Sequence, residues 1–178
     1  MRIAALTSVL ALATLAGATA RSAPSQLPST VPCDRVVLQT KFPYTSSGYR
    51  LVLGVASVPP AHLPNVYPTR SRLWPYWRKA GLVIRADRGP VLVSVAKAWR
   101  GRVRIGWGDD GGSALRFARC STKYELRAKD ARGRPKLGNA YTGGFHLRTR
   151  SACVPLIFHV GQRTETVRFG VGRTCPGS

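Results

Sequence analysis

Trp74, Tyr76 and Trp77, followed at once by Arg78 and Lys79, form an aromatic group beside two cations that could serve as a ligand platform. Flat aromatic faces stack on sugar rings or lodge at a membrane surface, and neighbouring cations attract acidic substituents. The same residues serve equally as packing at the entrance to a strand. His62, His146 and His159 are the only imidazoles, and none has a cysteine or carboxylate at metal-ligand spacing. Asp109-Asp110 lacks the D-x-D-x-D spacing of a calcium loop and reads as part of a turn. Glycosidase chemistry needs two carboxylates that face each other from different segments. There is no G-x-S-x-G, no P-loop and no G-x-G-x-x-G. The chain is therefore expected to have no catalytic, cofactor-binding or metal-binding residues and not to be an enzyme.

The remaining reactive side chains are Cys33, Cys120, Cys153 and Cys175. No two have C-x2-C spacing, which argues against zinc, and the even count predicts two disulfides if the chain is exported. Export is predicted from residues 1–20: Arg2, an apolar run from Ile3 to Gly17, and Ala18-Thr19-Ala20 before Arg21. The run is shorter than the roughly 18 to 20 apolar residues of a spanning helix, so a cleaved signal peptide is expected, and no other stretch is long enough to cross a bilayer. A secreted location, with cell-wall association as its extension, follows.

The whole sequence carries 28 basic and 7 acidic side chains, a formal net charge of +21. Loss of residues 1–20 removes only Arg2, leaving 27 against 7 and a net charge of +20. That exceeds the magnitude of roughly 2 to 8 usual for a small soluble domain, so anionic partners are expected. Export argues against nucleic acid and favours an anionic cell-wall polymer, an acidic glycan or an anionic membrane surface. The competing explanation is compositional: Arg outnumbers Lys 22 to 6, as a high-GC codon bias would give. The densest basic segment runs from Lys123 to Lys136, and Arg132, Arg134 and Lys136 within it are the candidate polyanion-binding residues.

The elements that must position these groups read almost wholly as strands. Residues 21–32 are Ser- and Pro-rich and predict a flexible lead-in; residues 33–175 predict one domain. Period-two alternation marks strands at Val36–Thr40, Tyr49–Val55, Leu82–Ala86, Val91–Val95, Val103–Trp107 and Leu115–Phe117. His62–Arg72, with Pro64 and Pro68, predicts a loop. Lys123–Arg132 fits a strand or a helical turn, and Arg132–Asn139 a basic loop. In the last third, Phe145, Leu147 and Thr149, then Val154 to Val160, then Val167 to Val171 alternate in turn. A hairpin across Gly161-Gln162 sets Leu156 opposite Val167, Val154 opposite Phe169 and Cys153 opposite Gly170. Cys175 then lies about five residues past the position opposite Cys153, too far for the Cα separation of about 4.4 to 6.8 Å that a bridge requires. Of the three possible pairings this favours Cys120–Cys153 with Cys33–Cys175. The expected fold is an all-β, antiparallel β-sandwich of roughly eight to nine strands.

Four segments, W-P-Y-W-R-K-A-G-L at 74–82, Y-T-G-G-F at 141–145, A-C-V-P-L at 152–156 and V-R-F-G-V-G-R at 167–173, closed by Cys175, together resemble a family of small uncharacterised secreted proteins of high-GC Gram-positive bacteria. The resemblance implies export and β structure, and implies neither an activity nor functional residues. The reading that follows is a secreted non-catalytic protein that binds anionic cell-envelope polymers through basic surface residues. A carbohydrate-binding module using the Trp74, Tyr76 and Trp77 platform is the alternative, and a small secreted hydrolase is a third.

Overall fold

The structure, a computed structural model, describes residues 27–108, 111–120 and 137–176. Fifteen strands occur among them: β1 (Ser29–Val31), β2 (Leu38–Thr40), β3 (Arg50–Val52), β4 (Ala56–Val58), β5 (His62–Leu63), β6 (Tyr67–Pro68), β7 (Tyr76–Lys79), β8 (Leu82–Arg85), β9 (Val91–Val95), β10 (Val103–Trp107), β11 (Ala114–Phe117), β12 (Gly138–Tyr141), β13 (Gly143–Leu147), β14 (Ala152–Val160) and β15 (Arg163–Val171). No α-helix is present among the described residues. The protein is all-β, as its alternation predicts, with more strands than the eight or nine expected.

Three sheets are formed. One has six strands in the order β1-β11-β9-β14-β15-β5, one has four in the order β10-β13-β7-β6, and one has five in the order β2-β12-β8-β4-β3. The six-stranded sheet is mixed, because β1 runs parallel to β11 and β5 parallel to β15. The other two sheets are antiparallel and are one layer bent at a corner. In the ladder of β7 with β13, Lys79 faces Gly144, and in that of β8 with β12, Leu82 faces Tyr141. The register is the same in both, so 76–85 and 138–147 are two continuous strands that change sheet together at Ala80-Gly81 and Thr142-Gly143. Such bends are how strands turn the corner of a sandwich.

Gly143 and Gly144 make the corner possible. Their φ values of 155° and 152° lie outside the usual range of other residues, and a Cβ on either would run into a backbone carbonyl, that of Gly106 or that of Arg78. Trp107 fixes the inner side of the bend by donating its indole N–H to the Ala80 carbonyl at 2.7 Å.

The core lies between this bent layer and the six-stranded sheet. Phe145 meets Phe169 across it at 5.4 Å between ring centroids, and Phe117 meets Tyr141 edge-on at 4.9 Å. Trp107, Phe117, Phe145, Phe158 and Phe169 are all buried. Each would expose roughly 150 to 250 Å² of aromatic surface on unfolding.

The β14–β15 hairpin has the expected register, with Leu156 opposite Val167, Val154 opposite Phe169 and Cys153 opposite Gly170. The expected disulfide pairing is overturned: the bridges are Cys33–Cys120 and Cys153–Cys175, with Cα separations of 5.5 and 5.4 Å. The chain does not continue straight past Val171. It folds back so that the Arg173 carbonyl and the Cys175 N–H lie over Gly170, where a Cβ would overlap the carbonyl and crowd the amide. Cys175 is thereby brought beside Cys153, the cross-strand neighbour of Gly170. Cys33 and Cys120 meet because β1 and β11 are parallel, with Val31 opposite Phe117, and each cysteine follows within three residues of its strand. β1 falls in the stretch that composition assigns to a flexible lead-in.

Two further departures have simple causes. Tyr49–Val55 is not one strand but runs through β3 into the turn of the β3–β4 hairpin, which reverses at Leu53-Gly54 with a Val55 N–H to Val52 C=O bond of 3.0 Å; Leu51 on β3, Leu53 in the turn and Val55 just after it fall in phase and imitate a single alternation. The Pro-rich loop 62–72 holds β5 and β6, whose two-residue ladders are too short to leave a periodic signal.

Candidate functional site

The outward face of the four-stranded sheet collects aromatic and basic side chains. On β13, Phe145 and Leu147 point into the core, so His146 between them points out. The same alternation turns Arg104 outward between Val103 and Ile105 on β10. Ladder pairing then lines up Tyr67, Trp77, His146 and Arg104 in one row across four strands. The Trp77 and His146 rings lie 6.3 Å apart at 37°.

A second row, Lys79–Gly144–Gly106, has a cation at one end and bare backbone along the rest. On the other side of His146, the Arg148 N–H bonds to the Arg102 carbonyl at 3.1 Å. The Arg148 guanidinium stands over the Trp74 ring at 5.6 Å. Trp74 belongs to the β6–β7 loop, which holds it through a Thr69 hydroxyl to Trp74 carbonyl bond of 2.6 Å and a Trp74 N–H to Ser71 Oγ bond of 3.0 Å.

Two open clefts flank the Arg104–His146 ridge. The larger, about 530 Å³, has a floor of Gly106, Gly108 and Gly143, with Trp77 and His146 on one side and the 3-10 turn at Asp34 and Arg35 on the other. The smaller, about 390 Å³, lies between Trp74, Arg104 and the chain at Gly101 and Gly111–Ser113. Asp34 is the one carboxylate of the described residues that lines either cleft. The other two are engaged elsewhere, Asp87 with Arg85 at 2.6 Å and Glu165 with the Leu53 N–H at 3.2 Å. The cations of this face thus have little acid nearby to neutralise them within the described chain.

Burial, and after it the Arg104 guanidinium, holds His146 below the ordinary imidazole value, so it is neutral at pH 7. In the unfolded chain the same histidine takes a proton near its ordinary pKa of ~6.5. The unfolded state therefore protonates first, and stability conferred by neutral His146 is present above about pH 6.5 and lost as pH falls. Asp87, whose carboxyl is held low by the Arg85 hydrogen bond, loses its contribution only in the carboxylate range below that window. Thermal unfolding at pH 7 and pH 5 is expected to show a fall in Tm that is smaller in His146→Asn; an equal fall in both proteins would assign it elsewhere.

The structure separates the aromatic trio suggested by sequence. Trp74 and Trp77 lie on the outward face, while Tyr76 is paired with Leu147 and packs against the core. Arg132, Arg134 and Lys136 lie outside the described residues, as do Asp109 and Asp110. His159 accompanies Thr164 at 3.0 Å on the outer face of the six-stranded sheet, away from the clefts, and His62 is exposed on β5. The described residues bring together no group of three His, Cys, Asp or Glu. Tyr67 is the member of the row that sequence reasoning misses, since its strand is hidden in a Pro-rich loop. The outward phase of Arg102, Arg104, His146 and Arg148 is legible, but not that these residues adjoin.

No family model, characterised protein or solved structure matches the chain. Its two disulfides fit an extracellular protein.

Proposed function

We propose that this is a secreted, non-catalytic protein of the cell envelope that binds anionic polymers through the outward face of its four-stranded sheet. The observation that supports this reading is the convergence of Arg102, Arg104, Arg148 and Lys79 with Trp74, Trp77 and Tyr67 on one face. Two of the segments on which the family resemblance rests contribute to the face, W-P-Y-W-R-K-A-G-L through Trp74, Trp77 and Lys79 and Y-T-G-G-F through the backbone of Gly143 and Gly144, and membership of that family is part of the proposal. The basic segment around Arg132, Arg134 and Lys136 supplies further charge to the same chain.

Exposed cations gain roughly 1 kcal/mol each near an anionic surface, and three together give about 100-fold in affinity. The test is sedimentation with purified cell walls, before and after chemical removal of their anionic polymers, over a salt series. The parent is expected to bind intact walls at low salt and to detach as the Debye length falls from ~10 to ~3 Å. Replacing Arg102, Arg104 and Lys79 together by Gln is expected to weaken binding about 100-fold at unchanged Tm. Equal binding by that variant, or by stripped walls, would return the charge to compositional bias.

A further inference from the structure

Resting on that reading, we propose that the two clefts are subsites of one groove along β10, and that the ligand is an interior stretch of a linear acidic polysaccharide, with one sugar ring on Trp77, another on Trp74 and an acidic group at Arg104 between them. The clefts share β10: Val103 and Arg104 line the smaller, and Gly106 and Gly108 the larger. From Val103 to Trp107 the strand advances about 13 Å, which sets the scale of the groove. Both volumes, about 530 and 390 Å³, fall in the ~300 to 1,000 Å³ range of small-ligand sites, and both clefts are open.

Each cleft repeats the same design. Each has one half-buried indole, Trp77 or Trp74, and a floor without side chains, Gly106, Gly108 and Gly143 in one and Gly101, Gly111 and Gly112 in the other. A floor of bare backbone lets a flat ring settle against the sheet while the indole covers its apolar face. Arg104 is the cation common to both halves, lining one cleft and paired across the ladder with His146, which lines the other. Aromatic contacts at two separated points with a cation between them suit a polymer of rings that repeats its acidic group. A polyol phosphate has the charge but no ring for either tryptophan, and a lipid surface is flat where this site is a groove.

The experiment is calorimetric titration of the full chain with galacturonate monomer, dimer, tetramer and hexamer, and with a tetramer blocked at both ends. Linear polyglycerol phosphate and vesicles of anionic phospholipid form two further arms. Affinity is expected to rise at least 30-fold from monomer to tetramer, to level off at hexamer, and to be unchanged by blocking the ends. Trp74→Ala and Trp77→Ala are each expected to reduce tetramer affinity about 10-fold, leaving polyglycerol phosphate binding within twofold. Monomer binding equal to tetramer, or a tetramer affinity indifferent to Trp74→Ala, would overturn the two-subsite groove. If polyglycerol phosphate or vesicles bind and lose affinity on Arg104→Gln while no oligosaccharide binds, the groove fails and the polyanion reading survives. If none of the probes binds, both fail.

Discussion

Gly143→Ala is expected to destabilise the protein by more than ~4 kcal/mol, a loss that few single substitutions reach. The new Cβ would fall on the Gly106 carbonyl and 2.7 Å from the Trp107 Cα, both on the adjoining strand β10. Backbone cannot rotate aside as a side chain does, so either β10 and β13 part or the corner unbends. Unbending would also break the Ala80 N–H to Gly143 carbonyl bond of 2.8 Å and pull Ala80 from the Trp107 indole. The unfavourable φ adds about 1 to 3 kcal/mol. Gly161→Ala is the control: its φ of 58° is also positive, but no atom lies within 4 Å of the added methyl. That variant is expected to lose only about 1 to 2 kcal/mol. Urea denaturation compares the two, and a Gly143→Ala protein within 1 kcal/mol of the parent would refute the close approach described for this corner.

The second large effect is expected from the longer disulfide. Cys33 and Cys120 are 87 residues apart and Cys153 and Cys175 are 22 apart. Loop-closure entropy assigns about 4.6 kcal/mol to the first crosslink and about 3.4 to the second. Against a total stability of roughly 5 to 15 kcal/mol, losing the first approaches the whole margin. Chemical denaturation of the two double alanine variants is expected to rank them in that order, both below the parent. The Cys33/Cys120 variant is expected to lose roughly 10 °C or more in Tm. The reverse ranking would mean that packing of the tail over Gly170, not chain entropy, sets the value of these bridges.

What was legible in the sequence was whatever repeats over enough residues to leave a period. The nine-residue strands β14 and β15 alternate throughout, and one two-residue turn fixes which residue faces which, so their register follows from pattern alone. Val91, Val93 and Val95, and likewise Val103, Ile105 and Trp107, sort inward for the same reason. Features governed by a change of direction left no period. The reversal after Val171 that carries Cys175 to Cys153 depends on a bare Gly170 and on contacts from residues that look extended. The corner at 80–81 and 142–143 is built from small residues that, in sequence, resemble ordinary loop breaks. The outward face escaped because adjacency in a sheet is set by strand order. Tyr67, Trp77, Arg104 and His146 come from four separate strands, and only the ladders put them in a row.

The pairing of the first strands with late ones bears on how the chain assembles. Ser29 faces Leu115 and Gln39 faces Asn139, so the opening strands have no partners until most of the sequence is available. The β14–β15 hairpin, closed by two residues, is the longest ladder that arises from local contacts. Distant pairings must meet the entropy of loop closure before they are rewarded, which makes such topologies slow to fold. On a chain delivered N-terminus first, nucleation is therefore expected at the end that arrives last. Cys33 would wait through that interval as a free thiol, open to the wrong partner, while Cys153 and Cys175 find each other across one hairpin and the short tail that follows it.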